Sequence, residues 1–285
     1  MRILVSTVAL LFVFSVAGAA ELTRLVRLKI SAGDLASGAH AAEEYRLASG
    51  ADAEYWDAIG WLARGAQMLG RAELAREYVA QIRASIPRED EKLLVPYGAA
   101  IETEGRLIAN ESGRGASIRY FEEQLSAAKA TSLRSRIQKN IDLLTLEGQP
   151  APEIGGKLEE LRGRPTLLYF FAEWCGDCKA QAPVLERIWN RYRDRGLAMV
   201  AVTRLYDDEM SPEAEKAKID ARWKDDYDGL PDVPVVVDNE AMIRYGGSAT
   251  PTFALVDRKG VVRLYTPTRL SEAELSRHID AMLAE

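Results

Sequence analysis

Histidine and cysteine are nearly missing from this chain: two of each in 285 residues. A zinc centre wants four ligands. His40 and His278 lie at opposite ends of the sequence, and both cysteines share one short segment, so no metal site is expected. No glycine loop of the phosphate-binding kind occurs, and no cofactor is implied. Positive charge is also short. The formal net charge of −6 argues against nucleic acid or anionic membrane surfaces as main partners. Beyond residue 20, no run is long and apolar enough to cross a membrane.

The first twenty residues are the exception. Arg2 supplies a charged start, Ile3 to Ala20 carries no charge, and the apolar stretch centres on Val8 to Phe14. Small residues from Ser15 to Ala20 then give cleavage-compatible spacing, so 1–20 is expected to be a secretory signal cut after Ala19 or Ala20. The alternative is an uncleaved N-terminal anchor. A lipoprotein anchor has no attachment residue, because no cysteine follows the apolar run. The expected location is the periplasm or another exported compartment.

Cys175 and Cys178 sit three residues apart in Phe171-Ala172-Glu173-Trp174-Cys175-Gly176-Asp177-Cys178-Lys179. Two thiols on the first turn of a helix can reach bonding distance, and the helix N-terminus favours the thiolate of the first. An oxidising compartment permits structural disulfides. A bridge across so small a loop, however, stabilises little through chain entropy. The pair therefore reads as reactive, and its chemistry as thiol–disulfide exchange.

The length, with 47% hydrophobic residues, points to two domains with real cores. Residues 21–147 read as helix throughout, rich in Ala, Leu, Glu and Arg with few β-branched runs. The expected helices are 21–30, 33–48, 52–69, 71–86, 90–110, 114–129 and 132–146, punctuated by Gly50, Gly70, Pro87, Gly113 and Gly148. One hairpin carries Leu62, Ala63, Gly70, Ala75 and Pro87 at tetratricopeptide spacing. No second copy of equal quality follows, and an ordinary helical hairpin explains it as well. Trp56 and Trp61 are expected in its core. Gly148 to Pro152 reads as a short, stiff, uncharged linker.

From 153 onward strands alternate with helices. Strands are expected at 166–171, 198–203, 233–237, 252–257 and 261–265, the last two forming a hairpin around Asp257-Arg258-Lys259-Gly260. Helices are expected at 175–195, 212–227, 240–245 and 271–283, the last opened by a Ser271/Glu274 capping box. The fold class is thus all-helical followed by α/β, with a mixed central sheet flanked by helices. The charged stretch from Asp207 to Asp228 is expected to present a solvated helix face, with docking of a redox partner as the alternative. His278 is expected at the surface.

Residues 148–285 resemble the TlpA-like group of thioredoxin-fold thiol–disulfide oxidoreductases. The resemblance rests on Leu167 to Cys178, on Pro183 five residues after Cys178, on Tyr245 to Phe253, and on the charged insertion near 205–230. It implies an exposed attacking Cys175 and a shielded resolving Cys178. It also implies support from Glu173, Trp174, Gly176 and Asp177, and a cis Pro251 that brings Thr250 opposite the cysteines to pair with an extended client. The resemblance further implies the reducing direction, toward disulfide-containing client proteins such as those of cytochrome c maturation. The electron donor that the resemblance implies is a membrane thiol protein of the DsbD/CcdA type, and the lack of a second cysteine pair means that reducing equivalents come from another protein. Two other readings use the same residues: a disulfide oxidase or isomerase, and an adaptor in which the helical domain binds a protein and the second domain senses redox state.

Two positions depart from the family. Tyr169 stands where thioredoxins usually carry a buried aspartate, and Gln181 where many TlpA-like reductases carry a glutamate. Glu173 and Asp177 are then the nearest acids. Asp177 replaces the proline of the common Cys-Gly-Pro-Cys turn. Its charge disfavours the Cys175 thiolate and makes the pair more reducing, while loss of the proline acts in the opposite direction.

Overall fold

The computed structural model describes residues 21–88 and 90–284. The expected signal segment 1–20 lies outside the described residues. Seven helices come first: α1 (Glu21–Ser31), α2 (Leu35–Ser49), α3 (Ala53–Met68), α4 (Ala72–Ser85), α5 (Leu94–Ser112), α6 (Arg114–Ala127) and α7 (Thr131–Thr145). Asp34 and Asp52 cap α2 and α3 by accepting the amides of Ser37 and Tyr55, each at 3.0 Å. The start of α5 differs from expectation, since one 3-10 turn (Glu91–Leu93) precedes it. Leu62, Ala63 and Ala75 are fully buried in the α3–α4 hairpin, and Gly70 takes its left-handed turn. Any tight antiparallel pair needs small residues and a turn there, so these positions carry no argument for a repeat. Trp56 is in the core as expected, whereas Trp61 is only half-buried, with Arg27 and Arg64 over its ring.

The second half contains α8 (Lys157–Glu160), β1 (Thr166–Phe170), α9 (Gly176–Tyr192), β2 (Ala198–Thr203), α10 (Pro212–Asp226), β3 (Val235–Val237), α11 (Asn239–Arg244), β4 (Thr252–Val256), β5 (Val262–Thr266) and α12 (Glu272–Ala284). The sheet order is β3-β2-β1-β4-β5. β1 runs parallel to β2 and antiparallel to β4, so the sheet is mixed, as expected. Alternation along β1 sends Leu167 and Tyr169 to one face and Leu168 and Phe170 to the other, and both faces are buried. Each fully buried Leu or Phe contributes about 1.5–3 kcal/mol. Ser271 and Glu274 form the expected capping box: Glu274 accepts the Ser271 amide at 2.8 Å, and the Ser271 hydroxyl accepts the Glu274 amide at 3.3 Å.

One expectation needs correction. The segment Gly148 to Pro152 is not merely a spacer. The Gly148 amide donates to the Val262 carbonyl at 2.8 Å and the Val262 amide to the Gln149 carbonyl at 2.9 Å, which ties the segment along β5. The insertion presents the expected solvated face, and its other face is buried. Ile219, Trp223 and Tyr227 join the core on the sheet face of Leu167 and Tyr169, beside Phe171. Glu215, 1% exposed, accepts the amides of Tyr206 at 2.6 Å and Asp207 at 3.2 Å.

The two halves are packed together. α7 lies against α11 and β5. Gly246 has a φ of +54° and sits so close to the Lys139 backbone that a Cβ there would overlap it. The Glu147 carboxylate accepts the Tyr265 amide at 2.9 Å.

Candidate active site

β1 delivers the chain to the sheet end at Phe171, and α9 begins five residues later. Cys175 is the N-cap of that helix, and its Sγ accepts the Cys178 amide at 3.1 Å. The two cysteines are joined as a disulfide with their Cα atoms 5.2 Å apart. An N-cap sulfur on the helix axis lies where the helix dipole stabilises negative charge. Cys178 is fully buried as expected. Cys175 is only 8% exposed, which corrects the expectation of an exposed sulfur. Across the groove the Thr250–Pro251 bond is cis, and the Thr250 carbonyl oxygen lies 3.5 Å from the Cys175 Sγ.

Trp174 is 65% exposed and meets the Tyr206 ring edge-on, with centroids 5.5 Å apart. Glu173 points inward. Its side chain is 3% exposed and pairs with Lys218 of α10 at 3.1 Å, while its Oε2 has no hydrogen-bond partner among the described residues. Asp177 is exposed, and Arg269 lies 3.7 Å from its carboxylate. Gly176 faces open space.

The two departures from the family pattern have clear structural uses. The Tyr169 hydroxyl lies 3.0 Å from the Cys178 carbonyl and 3.0 Å from the Tyr227 hydroxyl. Burial, with Tyr227 beside it, holds the Tyr169 phenol well above its ordinary range. It therefore stays neutral and ties β1 to α9 rather than taking a proton. The Gln181 amide bonds both backbone groups of Leu270, donating to the carbonyl at 2.8 Å and accepting the amide at 3.2 Å. A carboxylate could make only the second of these bonds.

The site also includes residues that motif reading did not single out. Tyr206, Arg204 and Lys218 come from the insertion, and Arg269 from the segment before α12. Leu94, Val95 and Arg136 come from the helical half and line a cleft of about 220 Å³ together with Trp174 and Thr250.

With the geometry established, similarity to known proteins becomes informative. The model for the AhpC/TSA family matches residues 143–265. Thioredoxin-like protein YneN of Bacillus subtilis (strain 168) is 29% identical over 144 residues, covering 47% of this chain and 79% of that protein. Thiol-disulfide oxidoreductase ResA of Geobacillus thermodenitrificans (strain NG80-2) is 23% identical over 128 residues, covering 44% of this chain and 67% of that protein. The C-terminal half has a thioredoxin fold and is similar to these thioredoxin-like oxidoreductases. With its paired cysteines, the protein is a thiol–disulfide oxidoreductase. A thioredoxin-family thiol:disulfide interchange protein from Chlorobium tepidum TLS superposes with a TM-score of 0.37 at 20% identity, covering 48% of this chain and 97% of that one. The N-cap cysteine and the cis-proline loop meet beside a cleft whose other wall comes from the helical half. Among the described residues, no helix is long and apolar enough to cross a membrane.

Proposed function

We propose that the protein is an exported oxidoreductase that reduces disulfides of client proteins, with Cys175 as nucleophile and Cys178 as resolving thiol. The supporting observation is the Cys175 sulfur at the α9 N-terminus, bonded by the Cys178 amide and facing the Thr250 carbonyl. In the reduced form, the Cys175 thiolate attacks one sulfur of the client disulfide, and the second client sulfur leaves as a thiolate that takes up a proton. The Cys178 thiolate then attacks the Cys175 sulfur of the mixed disulfide. The other client thiol is released and the Cys175–Cys178 bond forms. The client gains two electrons and two protons. A partner dithiol restores the pair by the same exchange, and the membrane donor expected from the sequence fits that role. Trp174 offers the client a flat apolar contact, and the backbone at Thr250 offers it strand pairing ahead of Pro251.

An oxidase or isomerase reading draws support from one contact. Arg269 beside Asp177 offsets the acid's charge, which leaves the Cys175 thiolate more favoured and the pair more oxidising. The reduction potential of the pair, by thiol trapping in defined redox buffers, separates the two. A value near about −270 mV supports the reductase, and one between about −180 and −120 mV supports the oxidase or isomerase. Insulin reduction surviving Cys175→Ser would overturn the assignment of the nucleophile.

A further inference from the structure

The helical half does more than sit beside the thioredoxin-fold domain. The cleft at Trp174 and Thr250 continues into a second of about 340 Å³, and Val95, Arg136 and Ser248 line both. The second cleft reaches Trp61, Arg64 and Lys139 on the helical side. It opens directly onto the loop before Pro251.

This extension is rich in positive charge in a chain that is acidic overall. Of the cations lining it, Arg136 and Lys139 share a single carboxylate, that of Glu102, at 3.2 and 3.5 Å, and Arg106, outside the lining, reaches the same carboxylate at 2.9 Å. Glu102 is 1% exposed. Burial would raise its carboxyl, but Lys139, Arg136, Arg64 and Arg106 together hold it down at about 2. Arg64 lies over the Trp61 ring at 4.6 Å, and its Nε is buried with no hydrogen-bond partner among the described residues. Arg204, at the Trp174 end, stacks on Tyr206 at 4.3 Å and has no carboxylate within ion-pair distance among the described residues. Asp57 is the one acid lining the second cleft. Arg136 spends Nη1 on the Val95 carbonyl at 2.7 Å, so the unpartnered donor is that of Arg64, and a desolvated cation without its partner is costly.

We propose that this groove selects client segments that are acidic beside their disulfide cysteine, with the helical half supplying the recognition through Arg64, Arg136 and Lys139, and Arg204 flanking the cysteine. An extended client paired along the loop places successive residues about 3.3 Å apart. Ser248 precedes Thr250 by two residues, so client side chains two to four positions from the reacting cysteine meet the second cleft. An apolar or aromatic client residue next to the cysteine fits against Trp174 and Val95. Burial pushes the Lys139 ammonium down to about 8 despite Glu102, and a client carboxylate would raise it again.

The inference rests on the client-reducing reading above, and its test keeps the two apart. Ten-residue peptides are made with one cysteine held in a mixed disulfide and three Glu or three Gln on either side of it. The reduced full-length protein should reduce the better-placed Glu peptide about tenfold faster than its Gln counterpart. That preference runs against the protein's net negative charge. The advantage should shrink toward one in Arg64→Gln, in Arg204→Gln and on raising salt. Binding of the same peptides with Ser in place of Cys, followed by fluorescence anisotropy, should show the same order. If Arg64→Gln does not fold, Arg204→Gln and the salt titration of the unmodified protein carry the test. Equal rates and equal binding for Glu and Gln peptides would overturn the proposal, as would a full acidic advantage surviving both substitutions and high salt. Tight binding of the acidic Ser peptide with no reduction of either disulfide would support the groove while overturning the reductase reading.

Discussion

The Tyr169 hydroxyl reaches the Cys178 carbonyl and the Tyr227 hydroxyl at the same distance, 3.0 Å, and so links the first turn of α9 to the strand beneath it and to the end of α10. All three groups are buried. Tyr169→Phe removes the bond and leaves Tyr227 unpaired, so it should cost about 1–2 kcal/mol in urea unfolding. Since Tyr169 stays neutral, the pH dependence of Cys175 reactivity should not move. A shifted profile would mean that the phenol takes part in proton transfer.

Asp177 and Arg269 form an exposed pair over the disulfide turn. Asp177→Asn should lower the Cys175 thiol pKa and make the pair more oxidising, by less than about one pH unit because both groups are solvated. Arg269→Ala should act with the opposite sign. Thiolate absorbance against pH, with the reduction potential, measures both. If neither variant moves either quantity, Asp177 does not tune the pair.

Gly246 holds a left-handed φ and touches the Lys139 backbone. Gly246→Ala meets both a conformational penalty and a backbone overlap, and should destabilise by at least about 2 kcal/mol. Because the contact joins the two halves, the variant should also split one unfolding transition into two. Urea unfolding followed by both far-UV dichroism and tryptophan fluorescence reads the split.

Asp142 is 4% exposed; its Oδ1 accepts from the Gln138 amide at 2.7 Å and its Oδ2 has no partner among the described residues. Burial pushes its carboxyl up to about 8, against the opposing pull of the Gln138 hydrogen bond. The folded form thus binds the extra proton between the unfolded pKa, near 3.8, and about 8. Stability from this group is fully present below the lower value and is lost as pH rises through the upper one. The melting temperature should fall from about pH 4 to about pH 8 and level off above that, and it should fall less in Asp142→Asn, which should be about 1–3 kcal/mol more stable at the alkaline end.

The helices of the first half were legible because their apolar spacing repeats at 3.6 residues and glycines mark their ends. The same holds for the strand, turn and helix around the cysteines, where each local preference agrees with the fold. α7 was legible only as a helix. Its Lys139, Asn140 and Asp142 are polar, yet they are buried, because α11 and β5, a hundred residues further on, pack against this helix. The Glu102 cluster was hidden for a similar reason, since Arg136 and Lys139 join it from 34 and 37 residues away. Tyr206 and Arg204 carried no motif, and only the path of the insertion brings them to Trp174. The Thr250 carbonyl was legible as lying opposite the Cys175 sulfur, but its closeness was not.

β5 is the last strand of the sheet, and residues 148–151 run beside it, taking up the backbone groups of Val262 and Gly260. An open sheet edge is a template for pairing between molecules. A fragment cut to begin after Pro152 would keep the cysteines, the cis-proline loop and every named strand, yet expose that edge to its neighbours. Self-association of such a fragment in solution would then report an uncovered border rather than a natural oligomer.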